Sequence, residues 1–122
     1  MEWKLNGDRP IYLQLCEQIT LRLVSGAWPP GGRLPSVREL ALDAGVNPNT
    51  MQRALAQLEN EGLVVTNRTA GRTVTDNAAV LDQVRQTLAN EKMEEYLTGM
   101  ATLGYTAEQA IALLQGKGNN HG

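Results

Sequence analysis

Ser36-Val37-Arg38-Glu39-Leu40-Ala41-Leu42-Asp43-Ala44-Gly45-Val46-Asn47-Pro48-Asn49-Thr50-Met51-Gln52-Arg53-Ala54-Leu55-Ala56-Gln57-Leu58 is the stretch that decides the fold. Ser36 followed three positions later by Glu39 is a capping box. The serine hydroxyl takes the amide of Glu39, and the carboxylate reaches back to the serine amide. Leu40, Ala41 and Ala44 then form an apolar face, and Gly45 stops the helix, since glycine enters positive φ cheaply. Asn47 and Pro48 restart helical structure as cap and first position. Met51, Ala54, Leu55 and Leu58 follow at helical spacing, and Gly62 ends this helix after Glu61. Two helices joined by a tight turn through Gly45 read as a helix-turn-helix over about 37–56. Ala41 is small where the helices cross, and Val46 fills the space beneath the turn. An ordinary helical hairpin could use the same pattern.

Upstream, Pro10 opens a helix whose apolar positions are Ile11, Leu15, Ile19 and Leu23, with Tyr12 and Cys16 beside them. Ser25-Gly26 ends it, and Trp28 to Gly32 is a turn-rich connector in which Trp28 serves as a packing anchor. Downstream the pattern changes period. Leu63-Val64-Val65-Thr66 and Arg72-Thr73-Val74-Thr75 are short and β-branched, and Asn67 to Gly71 can turn, which predicts a hairpin. Asp76 or Asn77 caps a long helix carrying Val80, Leu81, Val84, Leu88, Met93, Leu97 and Met100 and ending near Gly104. Thr106-Ala107-Glu108-Gln109 is a second capping box, opening a short helix with Ala110, Ile111, Leu113 and Leu114. Residues 116–122 read as a disordered Gly/Asn-rich tail, and His121 within it has no neighbouring ligands. The expected fold is mainly α with a small β-hairpin. A winged helix-turn-helix occupies 9–77, and a two-helix extension occupies 78–115.

The helix starting at Pro48 exposes Asn49, Thr50, Gln52 and Arg53 early, while Met51, Ala54 and Leu55 point inward. A recognition helix places such residues against base edges in the major groove. Asn and Gln pair with adenine, Arg with guanine, and Thr reaches a thymine methyl or a phosphate. Helix N-termini at Ser36 and Asn47 attract phosphate, and Arg33 and Arg38 lie beside the first of them. Arg68 and Arg72 flank Gly71 in the hairpin, where cations suit a sugar-phosphate backbone. A solvated polar face is the plainer alternative, although such faces usually carry more Glu and Lys.

Composition bounds the rest. The 122 residues are 42% hydrophobic with only five aromatics, enough for one core built of aliphatic side chains. The net charge is −2, but residues 1–75 hold 8 Lys/Arg against 7 Asp/Glu, and residues 76–122 hold 3 against 6. The lone Cys16 implies no disulfide and reads as a buried structural thiol. No apolar run approaches the ~20 residues of a membrane span, and no signal peptide opens the chain, so a soluble, cytoplasmic protein is expected. No Cys/His pair, metal-spaced cluster or phosphate loop is present, so no catalytic, cofactor or metal site is expected, and Glu94-Glu95 is a solvated pair. Too few residues follow Thr75 to enclose a ligand pocket of ~300–1,000 Å³. Val80, Val84, Leu88, Leu97, Met100, Ile111 and Leu114 form an apolar stripe expected to pair two copies.

With these residues in place, the sequence resembles the GntR regulators over roughly 9–77. The resemblance rests on Pro10 to Leu15, Gly32 to Ala41, Gly45 to Thr50, and Leu58 to Val64. It implies a DNA-binding regulator in which Arg38 contacts a base or the backbone. It also implicates Asn47, Asn49, Thr50, Gln52 and the wing-tip Gly71. The wing departs from the family's Gly-x-Gly-x-Phe-Val, reading Thr69-Ala70-Gly71-Arg72-Thr73-Val74, which leaves its conformation open. An Arg is frequent at the position of Gln52 in some subfamilies. Tyr96-Leu97, Met100 to Thr106 and Ala110 to Leu114 resemble the YtrA-like branch. There the extension mediates homodimerisation, and many members repress transporter operons. The implied partners are double-stranded DNA and a second copy of the chain, with any small-molecule effector unknown. A winged helix that binds only protein is the other class to test.

Overall fold

The structure is a computed structural model, and it describes residues 2–119. Its elements are α1 (Ile11–Val24), α2 (Val37–Ala44), α3 (Pro48–Asn60), β1 (Val64–Asn67), β2 (Gly71–Val74), α4 (Ala78–Thr102) and α5 (Ala107–Asn119). Two compact units divide the chain, Met1–Val84 and Arg85–Gly122.

In the first unit, Leu15, Ile19 and Leu23 of α1 meet Leu40 and Ala41 of α2 and Met51, Leu55 and Leu58 of α3 in a closed core. Each of these is at most 1% exposed, so the helical spacings in the sequence mark true inward faces. Ala41 and Ala54 are equally buried, as close helix packing requires. Gly45 takes φ 71 at the end of α2, the left-handed conformation that lets the chain reverse into α3. Trp28 packs half-buried against this core, as an anchor should.

The hairpin is antiparallel with Val64 opposite Val74 and Thr66 opposite Arg72. Both strands are displaced from the expected segments. Leu63 is buried ahead of β1, and Asn67 and Gly71 extend the ladder to the tip. The connector holds more order than its turn composition suggested. Gly31 N–H donates to Val74 O at 2.9 Å, Val74 N–H to Gly32 O at 2.8 Å and Leu34 N–H to Arg72 O at 2.9 Å. Arg33 consequently bridges Thr73 and gives β2 a partner on its second edge.

The residues before Pro10 also belong to the unit. Gln14 accepts from Asn6 N–H at 2.9 Å and donates to Asn6 O at 2.9 Å and Arg9 O at 2.7 Å. Gln18 does likewise with Lys4, accepting at 2.8 Å and donating at 2.5 Å. Two glutamines on α1 thus supply the backbone partners that an irregular segment lacks, and they let Trp3 and Leu5 pack against the core.

The first unit extends beyond 77. Asn77 caps α4, its Oδ1 accepting from Ala79 N–H at 3.1 Å. Leu81 is then 3% exposed in the core, with Val80 and Val84 packed against it. Val80 and Val84 therefore differ from the other expected stripe residues, because they cover their own domain.

In the second unit, α4 continues to Thr102 and the chain turns through Gly104 at φ 97. The capping box at Thr106 forms in both directions. Gln109 N–H donates to Thr106 Oγ1 at 3.1 Å, and Gln109 Oε1 accepts from Thr106 N–H at 2.9 Å. Tyr96 Oη donates to Ala110 O at 2.7 Å, and Ala110 is fully buried. The expected disordered tail begins too early, since α5 runs on through Gly116 to Asn119. Residues 120–122, including His121, lie outside the described residues.

Candidate nucleic-acid interface

Three elements carry the expected DNA residues: the start of α2, the start of α3 and the hairpin. At α2, Ser36 caps as expected by accepting from Glu39 N–H at 3.1 Å. The reciprocal half differs, because it is the Ser36 hydroxyl, rather than the Ser36 amide, that donates to Glu39 Oε1 at 3.1 Å. Its hydroxyl proton is therefore engaged within the chain. Arg38 is exposed in the first turn, and Arg33 is exposed on the bridging segment just before.

At α3, Asn47 Oδ1 accepts from Asn49 N–H at 2.7 Å, so this side chain shapes the helix start. Asn49, Gln52 and Arg53 are exposed, whereas Thr50 is half-buried. Thr50 forms part of the wall of a shallow groove of about 420 Å³ between the starts of α1 and α3, with Ile11, Tyr12, Asn49 and Arg53. The Arg53 guanidinium carbon lies 3.7 Å from the Tyr12 ring centroid. A cation on an aromatic face keeps its N–H edges open while losing rotational freedom. Tyr12 is thus a neighbour of the site that sequence spacing did not single out.

In the hairpin, Asn67 Oδ1 accepts from Thr69 N–H at 3.0 Å, Thr69 Oγ1 at 2.9 Å and Ala70 N–H at 3.3 Å. This side-chain turn, followed by Gly71 at φ 76, builds the tip without a first glycine. Arg68 is exposed there. Arg72 differs from it in setting, because its Nε donates to Glu59 Oε1 at 2.6 Å and its side chain is only 22% exposed. The Thr66 hydroxyl donates to the same oxygen at 2.8 Å. These bonds, that from Thr66 first and then Arg72, hold the Glu59 carboxyl below its ordinary pKa. Glu59 was not among the residues singled out from the sequence.

Among the described residues no cluster of His, Cys, Asp or Glu could hold a metal ion. No helix there is long and apolar enough to cross a membrane. Cys16 Sγ donates to Ala54 O at 3.4 Å, and burial, aided by the charges of Glu61 and Glu17, pushes its pKa up to about 11. Such a thiol is inert at neutral pH.

Residues 11–74 match the family described as bacterial regulatory proteins, gntR family. An uncharacterized HTH-type transcriptional regulator, YhcF of Bacillus subtilis (strain 168), is 39% identical over 91% of this chain and 92% of its own length. The HTH-type transcriptional repressor YtrA of the same organism is 35% identical over 84% of this chain and 80% of its own. A GntR family transcriptional regulator from Listeria monocytogenes superposes with TM-score 0.81 at 34% identity, over 91% of this chain and 97% of that one. The DNA-binding domain of AraR, in complex with operator ORX1, superposes with TM-score 0.57 at 26% identity, over 62% of this chain and 96% of that one.

Proposed function

The chain belongs to the gntR family of bacterial regulatory proteins, DNA-binding transcriptional regulators rather than enzymes, and from that premise we propose a sequence-specific repressor acting as a homodimer on an inverted repeat. The observation that carries the DNA reading is the first turn of α3. There Asn49 and Gln52 stand exposed beside the ordered Arg53, on a helix whose opposite face is wholly buried. Asn49, Gln52 and Thr50 read base edges, and Arg38 contacts a base or the backbone at the crossing of α2. Asn47, the Ser36 backbone amide at the start of α2, Arg33, Arg53, Arg68, the Gly71 backbone and the outer edge of Arg72 meet phosphates and sugars, which set position more than sequence.

Repression and a transporter operon as target follow the repressor named among the relatives and the YtrA-like extension. A regulator of this kind acts where its operator is, which supports a cytoplasmic location. Pairing rests on the second unit, where Ile111, Leu113 and Leu114 are about half exposed and Leu103 is 73% exposed. Leu88, Leu97 and Met100 complete that surface. A two-fold dimer presents two α3 helices to half-sites about one helical turn apart.

Selection of bound duplexes from a random pool tests the reading directly. The full chain should return an inverted repeat, and its affinity should fall steeply with salt as phosphate counterions are released. Gln52→Arg should shift one position of each half-site toward guanine. Recovery of no motif, or salt-insensitive binding to protein alone, would refute it.

A further inference from the structure

The hairpin pairs Thr66 with Arg72 across its strands, on the same face as the buried Val64–Val74 pair. Both side chains converge on one oxygen, Oε1 of Glu59, near the end of α3. A single carboxylate therefore holds each strand of the hairpin to the helix that carries the base-reading residues. The partners are partly sheltered, with Arg72 22% and Glu59 30% exposed, so solvent screens this ion pair less than a surface bridge. Its bonds are charge-assisted, which makes them directional as well as strong. Beyond the clamp lies the tip with Arg68 and Gly71, whose own bonds run within the turn through Asn67.

We propose that Glu59 is a positioning residue for DNA binding: it fixes the angle of the wing to the recognition helix so that Arg68 and the Gly71 backbone reach the phosphates. Arg72 acts mainly as the other jaw of this clamp. The connector pairs with β2 at Val74, Thr73 and Arg72, and the tip beyond them is the end of a hairpin with four-residue strands, which is not rigid by itself. Without Glu59, the tip would have to be ordered at each encounter, and that ordering entropy would reduce affinity. The proposal rests on the wing meeting DNA, as inferred above.

The test uses the full chain and a duplex that the wild-type protein selects from a random pool. Glu59→Ala, Arg68→Ala, the double variant and Glu59→Gln are compared, with thermal unfolding to verify that each is folded. Glu59→Ala should weaken binding about tenfold and speed amide exchange across Asn67–Arg72. The double variant should bind no more weakly than Glu59→Ala alone, because the Arg68 contact depends on the clamp. Glu59→Gln, whose amide oxygen still accepts from Thr66 and Arg72, should recover most of the loss. Additive losses, unchanged wing exchange, or tighter binding by Glu59→Ala through a released Arg72 would overturn the proposal alone. An Arg68→Ala variant with unaltered affinity would remove the wing reading and the proposal with it.

Discussion

Trp3 Nε1 donates to Asp43 Oδ2 at 2.8 Å, tying the chain's N-terminal segment to the last turn of α2, immediately before the Gly45 turn. The same indole lies 4.0 Å below the Arg22 guanidinium, which also donates to Glu2 O at 2.6 Å and Gln18 O at 2.9 Å. Trp3→Ala should accordingly destabilise the first unit by about 1–3 kcal/mol, as loss of a partly buried aromatic does. Trp3→Phe should retain the packing and lose only the N–H bond. Urea unfolding measures both, and equal midpoints for Trp3→Ala and wild type would contradict this role.

Arg53 stands on Tyr12, at the edge of the surface proposed to face DNA. An exposed cation–π contact contributes about 0.5–1 kcal/mol, so Tyr12→Leu should weaken duplex binding by about two- to fivefold through a less ordered Arg53. Tyr12→Phe keeps the ring face and should bind as wild type does. Equal affinity for the leucine variant would mean that Arg53 gains nothing from the stack.

Gly45 has φ 71, and a Cβ added there would meet no atom within 4 Å. Substitution is therefore opposed by backbone conformation alone, which costs about 1–2 kcal/mol for an L-residue in the left-handed region. Gly45→Val should lower the unfolding midpoint by that amount, and Gly45→Asn by less, since asparagine tolerates this region. Matching losses for the two variants would point to some effect other than backbone conformation.

The helix-turn-helix was legible because its signals are local. Asn47 with Pro48, Gly45, and the spacing of Met51, Ala54, Leu55 and Leu58 each act within a turn or two of chain. What sequence reasoning missed joins residues far apart. Trp3 with Asp43, Tyr12 with Arg53, and Glu59 with Arg72 are chosen by tertiary packing, and no periodicity announces them. Gln14 and Gln18 are ordinary helix formers whose bonds to the residues 4–9 segment only the folded chain shows. The hairpin was placed by its β-branched residues. Its ends were shifted because Asn67, poor in strand propensity, pairs with Gly71. In α5, Gly116 and Gly118 argue against helix by propensity, and yet the helix includes them.

Cys16 gives a prediction in reactivity and pH. Burial, then the charges of Glu61 and Glu17, raise its pKa from 9.0 to about 11, so the folded state holds the proton that the unfolded state releases. The associated stability is complete below about 9.0 and is lost as pH rises toward 11. Native protein at pH 8 should resist iodoacetamide, and protein in urea should react quickly. Rapid alkylation of the native form, followed by mass spectrometry, would contradict a buried thiol. Cys16→Ala should remove this part of the alkaline instability.

Where the chain is cut should separate folding from assembly. Ending it after Thr75 deletes Leu81, a core side chain 3% exposed, together with Val80 and Val84, which pack on that core. Loss of a buried leucine alone costs about 2–5 kcal/mol, so this fragment should be markedly less stable than one ending after Val84. The longer fragment retains the whole first core and omits the second unit, whose Leu103, Ile111 and Leu114 are 73%, 49% and 54% exposed. Exposed aliphatic side chains gathered in one short stretch of chain suit a partner surface, and each one so buried contributes roughly 1.5–3 kcal/mol. Full-length protein should therefore sediment as a dimer at micromolar concentration and the fragment ending after Val84 as a folded monomer. Its affinity for the inverted repeat should fall about a hundredfold, because the second half-site is no longer engaged at high effective concentration. Ile111→Glu with Leu114→Glu in the full chain should reproduce both changes without touching the first unit. A monomeric wild type, or a fragment ending after Val84 that still dimerises, would show that pairing does not reside in α4 and α5.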